Sequence, residues 1–188
     1  MDVEQAILKR RSYRALEEIE VTQGLIDDLA SAAQLTPSCF NKQPWRYVFV
    51  HKTNTLFRLQ ECLSPGNHWA NSANLIIAVV SKKELDCSVE GRDYYLFDTG
   101  MATAILMLRA TDLGLVAHPI AGYDEIKAKE VLGIPDDLQL ITLIIVGKRS
   151  GRNVAVLPDH QQESERTRPA RLPLDKFAFK DRYTGTED

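Results

Sequence analysis

Asp93-Tyr94-Tyr95-Leu96-Phe97-Asp98-Thr99-Gly100-Met101-Ala102-Thr103-Ala104-Ile105-Leu106-Met107-Leu108-Arg109-Ala110-Thr111-Asp112 is the longest helical signal in the chain. Phe97, Met101, Ile105 and Leu108 recur in one row, Ala102, Ala104 and Leu106 lie around it, and Gly114 stands where a helix C-terminus needs left-handed backbone. A helix that is apolar over more than one face belongs at a domain centre or a subunit interface. Working outward toward the N-terminus, Asp2 caps a short helix over residues 3–10, with Ala6 and Ile7 on its buried side. Thr22 caps a second, carrying Leu25, Leu29, Ala32 and Ala33, which Thr36-Pro37 stops. Residues 45–51 read as a strand, and Leu56, Leu59 and Leu63 mark a third helix closed by the turn Ser64-Pro65-Gly66-Asn67. Residues 75–81 are a buried strand. Toward the C-terminus, Asp124 caps a short helix ending at Leu132-Gly133-Ile134-Pro135, and residues 139–148 form a last core strand. Beyond Arg149 the periodicity fades, although Leu172, Leu174, Phe177 and Phe179 call for a surface to pack on.

With 188 residues, 44% hydrophobic and 26% charged, the chain has the length and composition of a single globular domain. Its longest apolar stretches, 75–80 and 140–146, fall far short of the ~18 residues a membrane span needs. The opening Met1-Asp2-Val3-Glu4 lacks the basic-then-apolar pattern of a secretion signal. Cys39, Cys62 and Cys87 cannot all pair and form no Cys-x-x-Cys, which argues against a disulfide framework and a structural zinc site and for a reducing, cytoplasmic compartment. Residues 1–147 carry a net charge of −5 and residues 148–188 a net +2. Neither part has the concentrated basic face of a nucleic-acid binder.

Several chemistries have no motif here. Gly-x-Gly-x-x-Gly, a Walker loop, His-Glu-x-x-His and Gly-x-Ser-x-Gly are all missing from the sequence. His51, His68, His118 and His160 are far apart, without ligand spacing to one another or to a cysteine. A bound nucleotide would therefore need its phosphate held by side-chain cations. Such cations stand together in Lys9-Arg10-Arg11-Ser12-Tyr13-Arg14, where Ser12 adds a hydroxyl donor. The same cations also complement a helix C-terminus. A second segment, Thr36-Pro37-Ser38-Cys39-Phe40-Asn41-Lys42-Gln43-Pro44-Trp45, presents hydroxyl and amide groups on a loop stiffened by two prolines, or simply joins a helix to a strand. A third, His118-Pro119-Ile120-Ala121-Gly122, permits close backbone approach to a planar ligand at Gly122, or is a plain turn.

Together, in this order, these segments resemble the FMN-dependent nitroreductase family. The resemblance runs from Met1 to about Lys148 and adds Leu113-Gly114-Leu115, Leu132-Gly133-Ile134-Pro135 and Val146-Gly147 to the three segments. It implies an α+β fold, a mostly antiparallel central sheet flanked by helices, in an intertwined homodimer. Residues 1–188 would form one domain, with 149–188 an extension packing on the partner subunit. Arg10, Arg11, Ser12 and Arg14 would hold the phosphate and ribityl chain of FMN. Pro37, Ser38, Cys39 and Asn41 would approach from the other subunit, and Pro119, Ile120, Ala121 and Gly122 would lie along the ring. In the tail, Arg168-Pro169-Ala170-Arg171 resembles the basic element that closes over the phosphate, with Arg171 favoured over Arg168. Asp98 occupies a place near the flavin edge.

The implied activity is ping-pong hydride transfer from NADH or NADPH through flavin N5 to a nitroaromatic, a quinone or a flavin, with no side chain needed as acid or base and no metal. The departures are Cys39 where serine is common, Ala121 where glutamate is common, and a short stretch between Leu63 and Asp93. A flavin-binding carrier or sensor without turnover, and a specialised flavin-cleaving or dehalogenating member, are the alternatives.

Overall fold

The computed structural model describes residues 1–185. In chain order its elements are α1 (Val3–Lys9), β1 (Leu16–Glu17), α2 (Gln23–Gln34), β2 (Arg46–Val50), α3 (Thr53–Gln60), β3 (Leu75–Ser81), β4 (Ser88–Val89), β5 (Arg92–Asp93), α4 (Tyr95–Asp112), β6 (Val116–Ile120), α5 (Glu125–Leu132), β7 (Gln139–Arg149) and α6 (Asp159–Arg166). The caps fall where the sequence puts them: the side chains of Asp2, Thr22 and Asp124 accept the backbone N–H groups of Gln5, Leu25 and Lys127. Gly114 and Gly133 take left-handed backbone, φ 77° and 65°, just beyond α4 and α5.

The sheet is antiparallel at every pairing, in the order β1-β7-β3-β2, with β6 also on β7. All seven residues of β3 are buried, so this strand is covered on both faces and has no polar side. Because side chains alternate across a strand, its residues divide between two cores. Ile76, Ala78 and Val80 join Leu143 and Ile145 of β7 under α3 and α5. Leu75, Ile77 and Val79 join Ile144 and Val146 under α2 and α4, which contribute Leu29, Ala33, Ala102, Leu106 and Ala110. Arg109 of α4 adds a two-pronged bond to Asp28 of α2, Nε–Oδ1 2.9 Å and NH2–Oδ2 2.8 Å.

Five differences from the sequence reading have physical causes. Ile7 is 55% exposed, and Ala6 alone is buried on α1, because a helix this short rests only one side chain on its neighbour. In α4 the apolar row faces outward, Phe97 at 62% and Ile105 at 42% exposed, while the small residues Ala102 and Ala110 and the threonines face in. Close approach of α4 to the sheet demands small side chains there. Pro119 and Ile120 lie in a strand rather than a loop; among the described residues β6 pairs with β7 alone, an edge position that tolerates proline. The tail contains α6, a helix without an apolar stripe and therefore without a periodic signal.

The fifth difference concerns the cysteines: Cys39 and Cys87, 48 positions apart in sequence, are joined in a disulfide with Cα atoms 6.0 Å apart. Spacing could not show this, because the fold brings two separate loops to the start of α4. Cys62 is the free, buried thiol.

Among the described residues no helix is long and apolar enough to cross a membrane. Leu106, fully buried between α4 and the sheet, tests the inner face: Leu106→Ala should lower stability by about 2–5 kcal/mol in urea unfolding. A loss below ~1 kcal/mol would show that this face is not core.

Candidate functional site

The basic segment is positioned by the sheet. Leu16 pairs with Arg149 and Glu17 with Lys148, and the N–H of Ser150 donates to the carbonyl of Ala15 at 2.8 Å, so residues 10–15 emerge beside the end of β7. Tyr13 is held between two guanidinium groups, Arg149 at 4.1 Å and Arg11 at 4.6 Å from its ring centre. The tail closes the other side. Arg11 donates to the carbonyl of Ser164 at 2.7 Å, the N–H of Arg14 donates to Glu165 Oε1 at 2.6 Å, and Arg168 donates to the carbonyls of Leu8 at 2.6 Å and Arg10 at 3.0 Å.

The outcome is a cavity of about 180 Å³ lined by Arg10, Arg11, Ser12, Arg14, Arg168 and Arg171, among others. Both tail arginines considered from sequence reach it. Among the described residues, none of these five guanidinium groups is ion-paired to a carboxylate. The Arg10 guanidinium shows the strain of that arrangement. Burial, then Arg168, then Arg171 pull its pKa below the usual arginine range. An anion seated here would relieve the repulsion, and a phosphate group is the right size and charge.

The second predicted segment forms a separate cluster. Ser38 Oγ accepts the N–H of Gln43 at 2.9 Å, and the N–H of Cys39 donates to Asp98 Oδ2 at 2.6 Å. Asp98 is buried on α4, so this bond ties the turn to the long helix. Phe40, Asn41 and Gln43 have φ of 47°, 56° and 50°, the left-handed region that non-glycine residues rarely adopt. Such residues cost on the order of 1–3 kcal/mol each and persist only where their surroundings hold them. Within this single chain Pro37, Ser38, Cys39 and Asn41 do not line the arginine cavity.

The third segment connects to the first through His118. This residue is buried on β6, its Nδ1 lies 3.0 Å from the carbonyl of Tyr13, and its ring stacks on Trp69 at 4.6 Å. Burial pulls its pKa down to about 4, with Arg14 and Arg10 adding to the effect, so the ring is neutral at pH 7 and donates from Nδ1. Beyond β6, Asn67 Nδ2 donates to the carbonyl of Gly122 at 2.9 Å and Trp69 Nε1 donates to Asn67 Oδ1 at 3.3 Å. A Cβ on Gly122 would sit 2.6 Å from Asn67 Nδ2, so a larger residue there would have to displace that amide.

Comparison with known proteins gives this arrangement its context. The sequence profile of the Nitroreductase family matches residues 7–67 and 64–148. The chain belongs to the nitroreductase family. Members of this family are flavin-dependent oxidoreductases, and the chain is accordingly an enzyme of the nitroreductase type. A protein of Archaeoglobus fulgidus with the provisional name NADH dehydrogenase/NAD(P)H nitroreductase is 26% identical over 175 residues, covering 91% of this chain and 96% of its own. The NADH dehydrogenase of Thermus thermophilus is 25% identical over 183 residues, covering 78% and 86%. A crystal structure described as an oxidoreductase containing FMN superimposes with a TM-score of 0.86 at 29% identity, covering 99% of this chain and 95% of that one. A nitroreductase family protein from Clostridium novyi NT gives 0.74 at 26% identity, covering 81% and 87%.

In this nitroreductase-family chain, sequence reasoning left out Tyr13, Trp69, His118 and Glu165 as site builders, and named Asn67 only as able to reach the flavin. Glu165 had no signal, being one acid in a polar tail. Asn67 had one, since an asparagine after Ser-Pro-Gly is placed to bond backbone across a turn.

His118 generates a pH prediction. From the ordinary imidazole pKa of 6.5 down to about 4, the unfolded chain binds a proton that the folded chain refuses. Its contribution is therefore intact above that window and lost as pH falls through it, by up to roughly 3 kcal/mol. Urea midpoints measured near neutrality and near pH ~4.5 should fall in the native protein and fall less in His118→Gln. An equal fall in both would assign the pH dependence elsewhere.

Proposed function

We propose that this enzyme binds FMN and transfers hydride from NADH or NADPH to an electron-poor acceptor such as a nitroaromatic, a quinone or a free flavin. The observation that carries the reading is the arginine cavity: five guanidinium groups and a serine hydroxyl around about 180 Å³, with no carboxylate in ion-pair reach among the described residues. One terminal phosphate suits it, and the chain has no dinucleotide fingerprint for an adenylate half. The names of its relatives and the FMN-containing neighbour support the same reading.

In this scheme Arg10, Arg14, Arg168 and Arg171 hold the phosphate, Ser12 adds a donor, and Arg11 holds the tail in place through Ser164. His118 and Trp69 fix the backbone between the phosphate end and the Pro119–Gly122 stretch, where Ile120, Ala121 and Gly122 face the ring. Bound flavin supplies the hydride chemistry. The chain's own part is to orient the ring and to offer cations and backbone N–H groups to its negative charge.

A homodimer completes the proposal. Val3, Leu8, Phe97 and Ile105 are exposed on α1 and α4, and Leu172, Leu174 and Phe177 on the tail. A second copy would cover them and deliver its Pro37, Ser38, Cys39, Asn41 and Asp98 to the first copy's flavin. The chain is then one domain over 1–188, with the distal part of the 149–188 extension on the partner. Residues 186–188 lie outside those described. A cytoplasmic place, where NAD(P)H is supplied, fits this activity.

Heat-released cofactor should run as FMN on a chromatogram, and NADH or NADPH should bleach the bound flavin under anaerobic conditions, with colour returning on addition of acceptor. FAD as the main species, or a flavin that no nicotinamide bleaches, would refute the reading. Arg10→Ala and Arg14→Ala each remove a charge-assisted contact and should weaken FMN binding by about 1.5–3 kcal/mol, some 10- to 150-fold. Unchanged affinity in both would move the phosphate elsewhere. Sedimentation should give a dimer, and a stable monomer that keeps its flavin would contradict the two-chain site.

A further inference from the structure

We infer that Cys39 and Cys87 are a reversible thiol–disulfide site whose oxidation state sets the conformation of the 38–43 turn and of the 83–93 segment. Three observations support it. The bond joins the turn that carries three left-handed non-glycine residues to a short exposed hairpin, β4–β5, which turns at Glu90 and Gly91 with φ of 50° and 79°. The hydrogen bonds and ion pairs of that hairpin close on itself: Lys83 pairs with Asp93, Arg92 with Glu90 and with the carbonyl of Val89, and the N–H of Tyr94 with the carbonyl of Cys87. Among the described residues, its outward links include the disulfide and Asp86, which faces Asp98 and Lys42.

On the other side of the bond, the turn is fastened by the Cys39 N–H on Asp98 and by its own Ser38–Gln43 contact. Breaking the sulfur link therefore frees the hairpin from the body of the protein and removes a constraint from a backbone that needs constraint. Cys39 is half-buried, unlike Cys62, which gives a small dithiol a sulfur to attack. In a reducing compartment, a disulfide that forms at all is the redox-active kind. The exchange is a two-electron step. A dithiol reductant attacks one sulfur, the S–S bond breaks, Cys39 and Cys87 each end as a protonated thiol, and the reductant leaves as its own disulfide.

The link from this site to flavin binding rests on the function proposed above, because it is the 38–43 turn that would meet the partner's flavin. The site itself does not depend on that reading. In the intact protein purified without reductant, thiol titration after denaturation should find one free thiol, Cys62; after treatment with dithiothreitol it should find three. Trypsin should cut at Arg92 roughly tenfold faster in the reduced protein, as a released segment opens more readily. Cys87→Ser should be cut at the fast rate with or without dithiothreitol, while Cys62→Ser should still respond to it. FMN affinity should change with reduction in Cys62→Ser and not in Cys87→Ser.

Three free thiols in the untreated protein after air exposure, or a cleavage rate that reductant leaves unchanged, would overturn the inference. A protein that responds in thiols and cleavage but never takes up FMN would leave this site standing and remove the flavin reading instead.

Discussion

Everything in this molecule hangs on the burial of β7. Its inner residues are sealed from water on both faces, and a buried strand must pair its N–H and C=O groups along its length. β3 satisfies one edge over Gln139–Val146, and β6 satisfies the other over Leu143–Gly147. The last two residues, Lys148 and Arg149, take β1. That final pairing brings the segment after α1 to the end of the sheet and sets Arg149 on the ring of Tyr13. The candidate site is thus a consequence of how the last core strand finds its hydrogen bonds. Gly147 marks how tightly the parts meet, since a Cβ there would lie 2.9 Å from the carbonyl oxygen of Glu17.

Once the basic segment is placed, the tail follows by polar forces. α6 reads Asp-His-Gln-Gln-Glu-Ser-Glu-Arg and has no apolar face to bury. It docks through Gln161 on the carbonyl of Gly66, through Glu165 under the N–H of Arg14, and through the carbonyl of Ser164 under Arg11. Five arginines packed together repel, and the structure offsets this with carbonyl oxygens and one aromatic face rather than with a ring of carboxylates. Full neutralisation by acids would have stabilised the empty site more and left less attraction for an anionic ligand.

The parts legible in the sequence were those governed by local chemistry. Asp2, Thr22 and Asp124 announce helix starts because a side-chain oxygen must satisfy nearby N–H groups, and Leu75–Ser81 announces a covered strand because it has no polar alternation. The cluster at 10–14 was legible as a gathering of cations because charge density survives without knowledge of the fold. What stayed hidden depends on pairs distant in sequence: Cys39 with Cys87, Glu165 with Arg14, His118 with Tyr13. The outward turn of the Phe97 and Ile105 row was hidden for another reason. Hydrophobic spacing says which residues share a face, and only the size of the side chains on the opposite face says which one approaches the sheet.

α4 joins the two halves of the argument. Its small inward residues let it lie close on the sheet, and that same rotation carries Asp98 inward to the Cys39 N–H and Phe97 and Ile105 outward to solvent. A single helix orientation therefore fixes both the strained turn and the exposed apolar row. Phe40, on that turn, is 84% exposed, so the turn, like the row, presents apolar surface. On the proposed function, covering the row with a second copy would bury this surface and bring the turn to the other copy's cradle in one step. Flavin affinity and subunit association would then be linked, because each completes a surface on which the other depends.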